Sequence, residues 1–331
     1  MSNVCVIGAG SFGTALAITL AEKGNKVNLW ARNADHISEM TDSMINERYL
    51  PGVKLNSNIK PMKDMKKAVD GAEMVLFSVP AQNFRGVFTS ALEFLDPNAV
   101  IVNVAKGIEK GTLLRMSQVA KEINPNVKYA VLSGPSHAEE VGKKLPTTVA
   151  IASSDKKIAE YVQDLFFTDR FRTYVNDDVV GVELGGSLKN IIALGAGISD
   201  GMGFGDNAKA ALMTRGMTEI TRLGLALGAK SETFYGLAGM GDLIVTCTSM
   251  HSRNRRCGIM IGEGVSPIQA TEKIGMVVEG MFTTEAAYDL AKTVNVEMPI
   301  TEHIYKVIKG EINPVDAVTY LMGRERKHEK I

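Results

Sequence analysis

A glycine-rich turn near the amino end of the chain is the first candidate for chemistry. Gly8, Gly10 and Gly13 match the pattern GxGxxG, between a short apolar run and a stretch with apolar side chains at helical spacing. In such a unit the first glycine permits a tight turn, the second lets a pyrophosphate approach the backbone, and the third lets helix and strand pack closely. Free N–H groups near Ser11 and Phe12 would face the phosphates. The pattern predicts a dinucleotide site, and the alternative is a glycine turn without a ligand.

The residues after the second predicted strand bear on which dinucleotide binds. NAD-binding versions of the motif carry a carboxylate about 20 residues further along the chain. Here the strand ends at Trp30, Arg32 follows, and the first carboxylate is Asp35. The forked donors of Arg32 suit a 2′-phosphate, which a carboxylate would repel. We therefore expect NADP(H) to be favoured, with NAD(H) possible. An arginine that stacks on adenine or lies in solvent is the alternative.

Lys189 is a cation within an otherwise apolar, small-residue helical stretch. Such a lysine must extend to solvent or face a polar cleft. In a cleft, partial desolvation would lower its pKa toward a value suited to general acid–base catalysis, as reduction of a ketone requires. Chemistry alone favours extension to solvent. Asn190, beside it, could bind a substrate hydroxyl or a neighbouring helix.

Two further polar groups follow Lys189 in the chain. Asp242 lies between glycines and apolar residues, where it could hold a lysine or a substrate hydroxyl. Taken alone it is better interpreted as a helix cap, because aspartate is a favoured N-cap residue. Residues 252–256, Ser-Arg-Asn-Arg-Arg, concentrate hydrogen-bond donors, and arginine binds phosphate in a bidentate manner. The alternative for this run is a solvated basic helix face.

In the first half, two polar segments follow predicted strands. Lys106 follows the strand Ala99–Val104, and residues 133–136, Ser-Gly-Pro-Ser, follow another strand. Because the carboxyl ends of parallel strands face the ligand crevice of an open α/β sheet, we expect both segments to line it. The sequence alone does not indicate a catalytic partner for His137, which is interpreted as structural, whereas Ala138 could contact a cofactor through its backbone.

Alternating strand and helix patterns position these residues. The strand-like runs are Asn3–Ile7, Val27–Trp30, Met74–Val79, Ala99–Val104, Tyr129–Leu132 and Thr147–Ala152. They predict a mostly parallel sheet covered by helices, and after about Asp178 long Ala, Leu, Gly and Met stretches replace them. We predict an α/β fold with a Rossmann-type dinucleotide-binding domain over residues 1–180. An all-α substrate-binding and catalytic domain follows over residues 181–331, and one helix crosses between the two.

Composition limits the partners and the compartment. The 331 residues contain 37 Lys and Arg against 37 Asp and Glu, and this balance disfavours nucleic acid and anionic membranes but permits a small anion site. Cys5, Cys247 and Cys257 cannot all pair and lack metal-ligand spacing, so we expect a reducing compartment and no metal. No basic residue precedes the first apolar run, and no run reaches the length of a membrane span. We expect a soluble, cytoplasmic protein whose charged run 324–330 is a solvated end.

Several motifs occur in order along nearly the whole chain: Gly8–Ala15, Val104–Gly107, Leu132–Ser136, Leu188–Asn190, Asp200–Ala210, Gly241–Leu243 and Ser252–Asn254. Together they resemble those of NAD(P)-dependent glycerol-3-phosphate dehydrogenases in their bacterial form. Many dehydrogenases share GxGxxG. The Gly-Phe-Gly-Asp-Asn segment, and the Arg-Asn pair that follows Leu-Lys-Asn, are far more specific.

The resemblance implies reversible reduction of dihydroxyacetone phosphate to sn-glycerol 3-phosphate by NADPH or NADH, which supplies glycerophospholipid synthesis. It implies that Lys189 is the general acid in reduction and the base in reverse. The implied substrate contacts are Lys106, Gly134, Ser136, Asn190, Asp242, Thr246, Ser252, Arg253 and Asn254. The implied cofactor contacts are Gly8, Gly10, Ser11, Phe12, Gly13, Arg32, Tyr49, Lys106, Ala138, Arg253, Val277 and Glu279. A homodimer is expected as well, and no metal.

Two other functions are alternatives. A β-hydroxyacid or ketopantoate-type dehydrogenase also joins a Rossmann domain to a helical one with a catalytic lysine, but the Ser252–Asn254 anion site and the Gly203–Asp206 segment argue against it. A nucleotide-sensing binding protein would keep the glycine turn and would not need Lys189.

Overall fold

A computed structural model describes residues 1–326 and residue 328. The chain forms two compact units: unit 1 contains residues 1–106 and 114–182, and unit 2 contains residues 107–113 and those from 183 onward. The predicted domain boundary after residue 180 lies close to the change of unit at Val182, and residues 107–113 group with unit 2. The charged run 324–330, expected to be a solvated end, lies partly outside the described residues.

Unit 1 is built around ten β-strands. They are β1 (Asn3–Ile7), β2 (Lys26–Trp30), β3 (Ile45–Asn46), β4 (Leu50–Lys54), β5 (Ile59–Met62), β6 (Met74–Phe77), β7 (Val100–Asn103), β8 (Lys128–Ser133), β9 (Thr147–Ala152) and β10 (Phe171–Asn176). Eight of them form one sheet in the order β10-β9-β8-β7-β6-β1-β2-β5, and β3 pairs with β4 in a separate antiparallel hairpin. Neighbours in the large sheet run parallel except β8 with β9. The predicted mostly parallel sheet is confirmed.

The helices of unit 1 are α1 (Ser11–Glu22), α2 (Ala34–Ser43), α3 (Met65–Val69), α4 (Ala81–Leu92), α5 (Met116–Ile123), α6 (Ala138–Gly142) and α7 (Lys156–Phe166). α1 buries Leu16 and Leu20 completely in the same core as Val6 of β1. It ends before Gly24, whose φ of +93° is a conformation that glycine adopts without strain. The predicted strand, turn and helix around the glycine pattern are therefore present.

Unit 2 is helical, as predicted. Its helices are α8 (Val179–Gly201), α9 (Asp206–Ala226), α10 (Ser231–Tyr235), α11 (Asp242–Thr248), α12 (Arg253–Gly262), α13 (Pro267–Ile274), α14 (Glu279–Thr293), α15 (Pro299–Ile308) and α16 (Pro314–Met322), with a π-helical turn at Leu237–Gly241. α8 begins in unit 1 and continues into unit 2, which confirms the crossing helix. Among the described residues α8 is long and apolar enough to cross a membrane, but 89% of its apolar window is buried in the protein, as in a core helix.

Helices α8 and α12 contact each other through glycines. Gly197 and Gly201 of α8 face Gly258 and Gly262 of α12. A Cβ atom built on Gly197 or on Gly258 would lie 2.1 Å from a backbone carbonyl oxygen of the other helix. Such a distance leaves no room for a side chain, so the two backbones are in direct contact. This crossing holds the start of α12 against the middle of α8.

We predict that Gly258→Ala lowers the free energy of unfolding by about 2 kcal/mol or more, because the helices must separate to accept the methyl group. The control is Gly86→Ala, at an exposed position of helix α4 where a built Cβ meets no atom within 4 Å. There alanine should stabilise the helix by up to about 1 kcal/mol. Urea unfolding of both variants measures the difference. Equal stability of the two variants would contradict the close crossing.

Candidate functional site

The glycine-rich turn has the geometry that a dinucleotide needs. Gly8 has φ +112°, and a Cβ there would lie 2.3 Å from the Ser78 carbonyl oxygen; a Cβ on Gly13 would lie 1.9 Å from the oxygen of Gly8. A Cβ on Gly10 would meet no atom within 4 Å. Gly10 is the N-cap of α1, and no side chain caps the helix that begins at Ser11. The turn therefore presents an open backbone and a helix N-terminus, which favours an anion such as a pyrophosphate.

Predicted crevice residues lie together where strands β7 and β8 end. The ammonium of Lys106 donates to the carbonyl of Gly134 at 3.1 Å, and the hydroxyl of Ser136 donates to the same oxygen at 2.8 Å. The Lys106 nitrogen also lies 6.0 Å from the ring centroid of Phe12. Ala138 is buried at the start of α6. This edge of unit 1 thus combines a cation and a hydroxyl with the aromatic side chain that follows the glycine turn.

Asn103 positions Lys106, and the sequence interpretation missed it. It is the fully buried last residue of β7. Its side-chain oxygen accepts from the N–H of Ala105 at 3.1 Å, and its amide group donates to the Ala105 carbonyl at 3.2 Å. These bonds fix the backbone immediately before Lys106. An asparagine that ends a buried strand, beside a candidate site lysine, is the signal that could have revealed it.

Arg32 and Tyr49 lie on the other side of the glycine turn. Arg32 is exposed just after β2, at the carboxyl end of the strand next to β1. Tyr49 is half-buried in the β3–β4 hairpin, with its ring edge-on to that of His36 at 5.2 Å. Both positions are compatible with their predicted roles toward the adenosine part of a dinucleotide.

In unit 2, Lys189 is held by two polar groups in the interior. Lys189 is 6% exposed and Asp242 is 1% exposed. The ammonium donates to the Asp242 carboxylate, and it donates to the hydroxyl of Thr246 at 2.7 Å. That hydroxyl in turn donates to the Asp242 carbonyl at 2.6 Å. Extension of Lys189 to solvent is therefore wrong, since the buried charge is paired instead. The cap interpretation of Asp242 is wrong as well, because the N-cap of α11 is Gly241.

The π-helical turn Leu237–Gly241 places Asp242 next to Lys189. The N–H of Gly241 donates to the carbonyl of Gly236 at 3.1 Å, which is the five-residue spacing of a π turn. A Cβ on Gly185, one turn before Lys189 in α8, would lie 2.6 Å from the Ala238 carbonyl oxygen. The glycine lets the π turn approach the α8 backbone, so that the residue after the turn reaches Lys189. Single π turns occur frequently at functional sites.

The start of α12 presents a helix N-terminus beside an exposed guanidinium. Ser252 is the N-cap, and its hydroxyl accepts from the N–H of Arg255 at 3.2 Å. Arg253 is exposed at the first helical position. The guanidinium of Arg255 is bound instead to the Asp200 carboxylate, at 2.7 and 2.8 Å. The interpretation of the whole run as a solvated basic face is therefore wrong, and Arg253 with the helix N-terminus remains suited to a phosphate.

Asn254 joins three helices through its side chain. Its amide group donates to the side-chain oxygen of Asn190 on α8, and its oxygen accepts from the N–H of Gly280 on α14, both at 2.9 Å. Glu279, the predicted cofactor contact, begins α14 and is half-buried, while Val277 before it is exposed. Asn190 therefore contacts a neighbouring helix, which was one of its two predicted roles.

Within the described residues, no group of three or more His, Cys, Asp or Glu side chains could hold a metal ion. The three cysteines are buried, and burial raises the pKa of the Cys247 thiol, near Lys189, to about 12. Cys247 is therefore a thiol at neutral pH and is poorly suited to act as a nucleophile.

Comparison with known proteins shows which family the chain belongs to. Residues 3–159 match the family model of the NAD-dependent glycerol-3-phosphate dehydrogenase N-terminus, and residues 178–319 match that of the C-terminus. The chain is 51% identical to glycerol-3-phosphate dehydrogenase [NAD(P)+] of Clostridium perfringens over 331 residues, the full length of both chains. It is 54% identical to the enzyme of that name from a Thermoanaerobacter species, over 99% of this chain and 98% of the relative.

A crystal structure of glycerol-3-phosphate dehydrogenase from Coxiella burnetii matches with a TM-score of 0.93 at 41% identity, and covers 98% of this chain and 99% of that one. The chain belongs to the NAD(P)-dependent glycerol-3-phosphate dehydrogenase family.

Proposed function

We propose that this chain catalyses the reversible reduction of dihydroxyacetone phosphate to sn-glycerol 3-phosphate with NAD(P)H. The observation that carries the proposal is the buried Lys189, held by Asp242 and Thr246 in the same unit as the anion-binding start of α12. The names of the relatives supply the substrate. Family membership sets aside the ketopantoate-type enzyme and the binding protein without turnover.

A nicotinamide dinucleotide held at the turn of Gly8, Gly10 and Gly13 would supply the hydride for the ketone carbon. Lys189 gives a proton to the developing alkoxide, and takes it back in the reverse reaction. Asp242 and Thr246 fix the direction of the ammonium before substrate arrives, so little reorganisation is needed when charge develops.

The substrate phosphate binds at the N-terminus of α12. Arg253 contributes a guanidinium, and the helix start at Ser252 and Asn254 contributes the partial positive charge of its N–H groups. The Asn254 side chain supports this site by holding Asn190 and α14. Binding energy from the phosphate, remote from the reacting carbon, orients the ketone. In unit 1, Lys106 contacts both substrate and cofactor. Gly134 and Ser136 are part of the substrate crevice.

The cofactor binds at the glycine turn, with NADPH favoured over NADH. Gly8, Gly10 and Gly13 shape the turn for the pyrophosphate. The remaining contacts are proposed at Ser11, Phe12, Arg32, Tyr49, Ala138, Val277 and Glu279. The preference for NADPH rests on Arg32, an exposed cation just after β2. Residues 31–34 contain no carboxylate that would repel a 2′-phosphate.

We place the enzyme in the cytoplasm as a homodimer, where its product supplies glycerophospholipid synthesis. The three buried cysteines support a reducing compartment.

Association of two copies is supported by the apolar side chains that α16 exposes, namely Val315, Tyr320 and Met322. Analytical ultracentrifugation should give twice the mass of the chain, and a mass of one chain at micromolar concentration would contradict the dimer.

We predict that Lys189→Ala lowers kcat by about a thousandfold, because a positioned general acid contributes roughly 10² to 10⁴ in rate. NADPH binding, measured by nicotinamide fluorescence, should persist and show that the variant is folded. The control is Lys292→Ala, an exposed lysine of α14 that pairs with Asp289, which should retain full turnover. Near-normal reduction of dihydroxyacetone phosphate by Lys189→Ala would refute the assignment.

We predict that Arg32→Ala lowers kcat/KM with NADPH by about tenfold to a hundredfold, the range expected for a lost hydrogen-bonded charge pair. The value with NADH should stay close to that of the wild type, because NADH lacks the 2′-phosphate. Steady-state kinetics with both cofactors measures this. Equal losses for the two cofactors would instead indicate that Arg32 stacks on adenine.

A further inference from the structure

Asn46 is buried completely and has every hydrogen-bonding direction of its amide occupied. Its nitrogen donates to the Ala9 carbonyl at 3.0 Å and to the Thr14 hydroxyl at 2.7 Å. Its oxygen accepts from the N–H of Tyr49 at 3.2 Å and from Nε2 of His36 at 2.9 Å. The Ala9 carbonyl can only accept, so the amide nitrogen must face it, and His36 must then donate from Nε2.

The four partners belong to the segments that surround the proposed cofactor site. Ala9 lies inside the glycine turn and Thr14 lies in the first turns of α1. His36 lies in α2, the helix that follows Arg32, and Tyr49 lies in the β3–β4 hairpin. One buried side chain therefore joins the glycine turn to both segments that flank it.

The bond to Ala9 acts on the phosphate-binding backbone itself. A peptide unit is planar and trans, so its N–H points opposite to its carbonyl. Holding the Ala9 carbonyl toward Asn46 therefore directs the N–H of Gly10 away from Asn46. Gly10, at one end of this peptide, has no side chain to restrict its rotation, and the contact with Asn46 removes that freedom.

We propose that Asn46 is a positioning residue for the dinucleotide, which preforms the Ala9–Gly10 peptide and the Tyr49 segment before the cofactor binds. The inference rests on the proposed cofactor contacts at Gly10, Ser11 and Tyr49. Because a preformed site does not lose ordering entropy on binding, the contribution of Asn46 appears in cofactor affinity and not in the chemical step.

The test measures the Kd of NADPH and of NADH by nicotinamide fluorescence, together with kcat and the KM of dihydroxyacetone phosphate at saturating cofactor. Asn46→Ala should raise both Kd values by about tenfold or more, since buried groups lose their partners and the peptide is released. The KM of the substrate should change by less than about twofold under the same reasoning. Asn46→Asp, which keeps the acceptors for His36 and Tyr49 but places a carboxylate against Ala9, should raise Kd at least as much.

Asn25→Ala is the matched control. Asn25 is also buried in unit 1, and its amide donates to the Leu20 carbonyl at 3.0 Å and accepts from the N–H of Ser2 at 3.1 Å, beyond the other end of α1. This variant should lose thermal stability without a change in Kd. An unchanged Kd in Asn46→Ala, or an equal rise in Asn25→Ala, would reduce Asn46 to a structural role and overturn the inference.

A second pair of variants serves if Asn46→Ala does not fold. Thr14→Val removes one of the four bonds and should raise Kd by about threefold. Thr19→Val, at another buried threonine of α1 whose hydroxyl donates within the helix at 3.2 Å, should not change Kd. Equal Kd values for the two variants count against the inference.

Gly10→Val separates this inference from the proposed cofactor site. Its side chain would occupy the open space beside Gly10, so it should abolish binding of both dinucleotides. Wild-type affinity in Gly10→Val would mean that the cofactor site itself is wrong. Loss of binding in Gly10→Val with normal binding in Asn46→Ala would overturn the role of Asn46 alone.

Discussion

The contact between the backbones of α8 and α12 determines where the polar groups of unit 2 meet. Four glycines, Gly197 and Gly201 against Gly258 and Gly262, let the two helices approach more closely than side chains would permit. At that distance Asn254, near the start of α12, reaches Asn190 on α8. The lysine next to Asn190 thus lies in the same unit as the helix N-terminus that suits a phosphate. The arrangement of these polar groups therefore depends on the absence of side chains at the four glycines.

Buried amides connect the pieces of both candidate sites. Asn46 joins the glycine turn to α2 and the hairpin, Asn103 holds the backbone before Lys106, and Asn254 ties α8 and α12 to α14. An amide carries both donors and acceptors without a net charge, so it can satisfy several backbone groups at a low cost of desolvation. The hydrogen bonds of these amides fix the backbone and helices that carry the nearby cations Lys106 and Lys189.

The features that the sequence predicted are local ones. β1, α1 and the glycine turn follow from short-range periodicity and sterics, which a single segment contains. The sequence analysis does not predict β5 and β10, the two edge strands of the large sheet. β5 contains Pro61, which is tolerated at a sheet edge but weakens the apolar pattern by which a strand is predicted. Asp242 was interpreted as a cap because its partner is 53 residues away in the chain. The hydrogen bonds of Asn46 and the grouping of residues 107–113 with unit 2 likewise depend on contacts between segments that are distant in the chain, and no local sequence pattern predicts them.

The π-helical turn before Asp242 has a consequence for how related chains are compared. One residue advances an α-helix by about 100°, so an extra residue in a turn rotates everything that follows onto another face. Asp242 and Thr246 both lie after this turn and both reach Lys189. In a relative with one residue fewer between Gly236 and Asp242, an alignment would still pair the aspartates, yet the carboxylate would face away from the lysine. The number of residues in this short segment therefore determines the contact between Lys189 and Asp242 as much as the aspartate itself does.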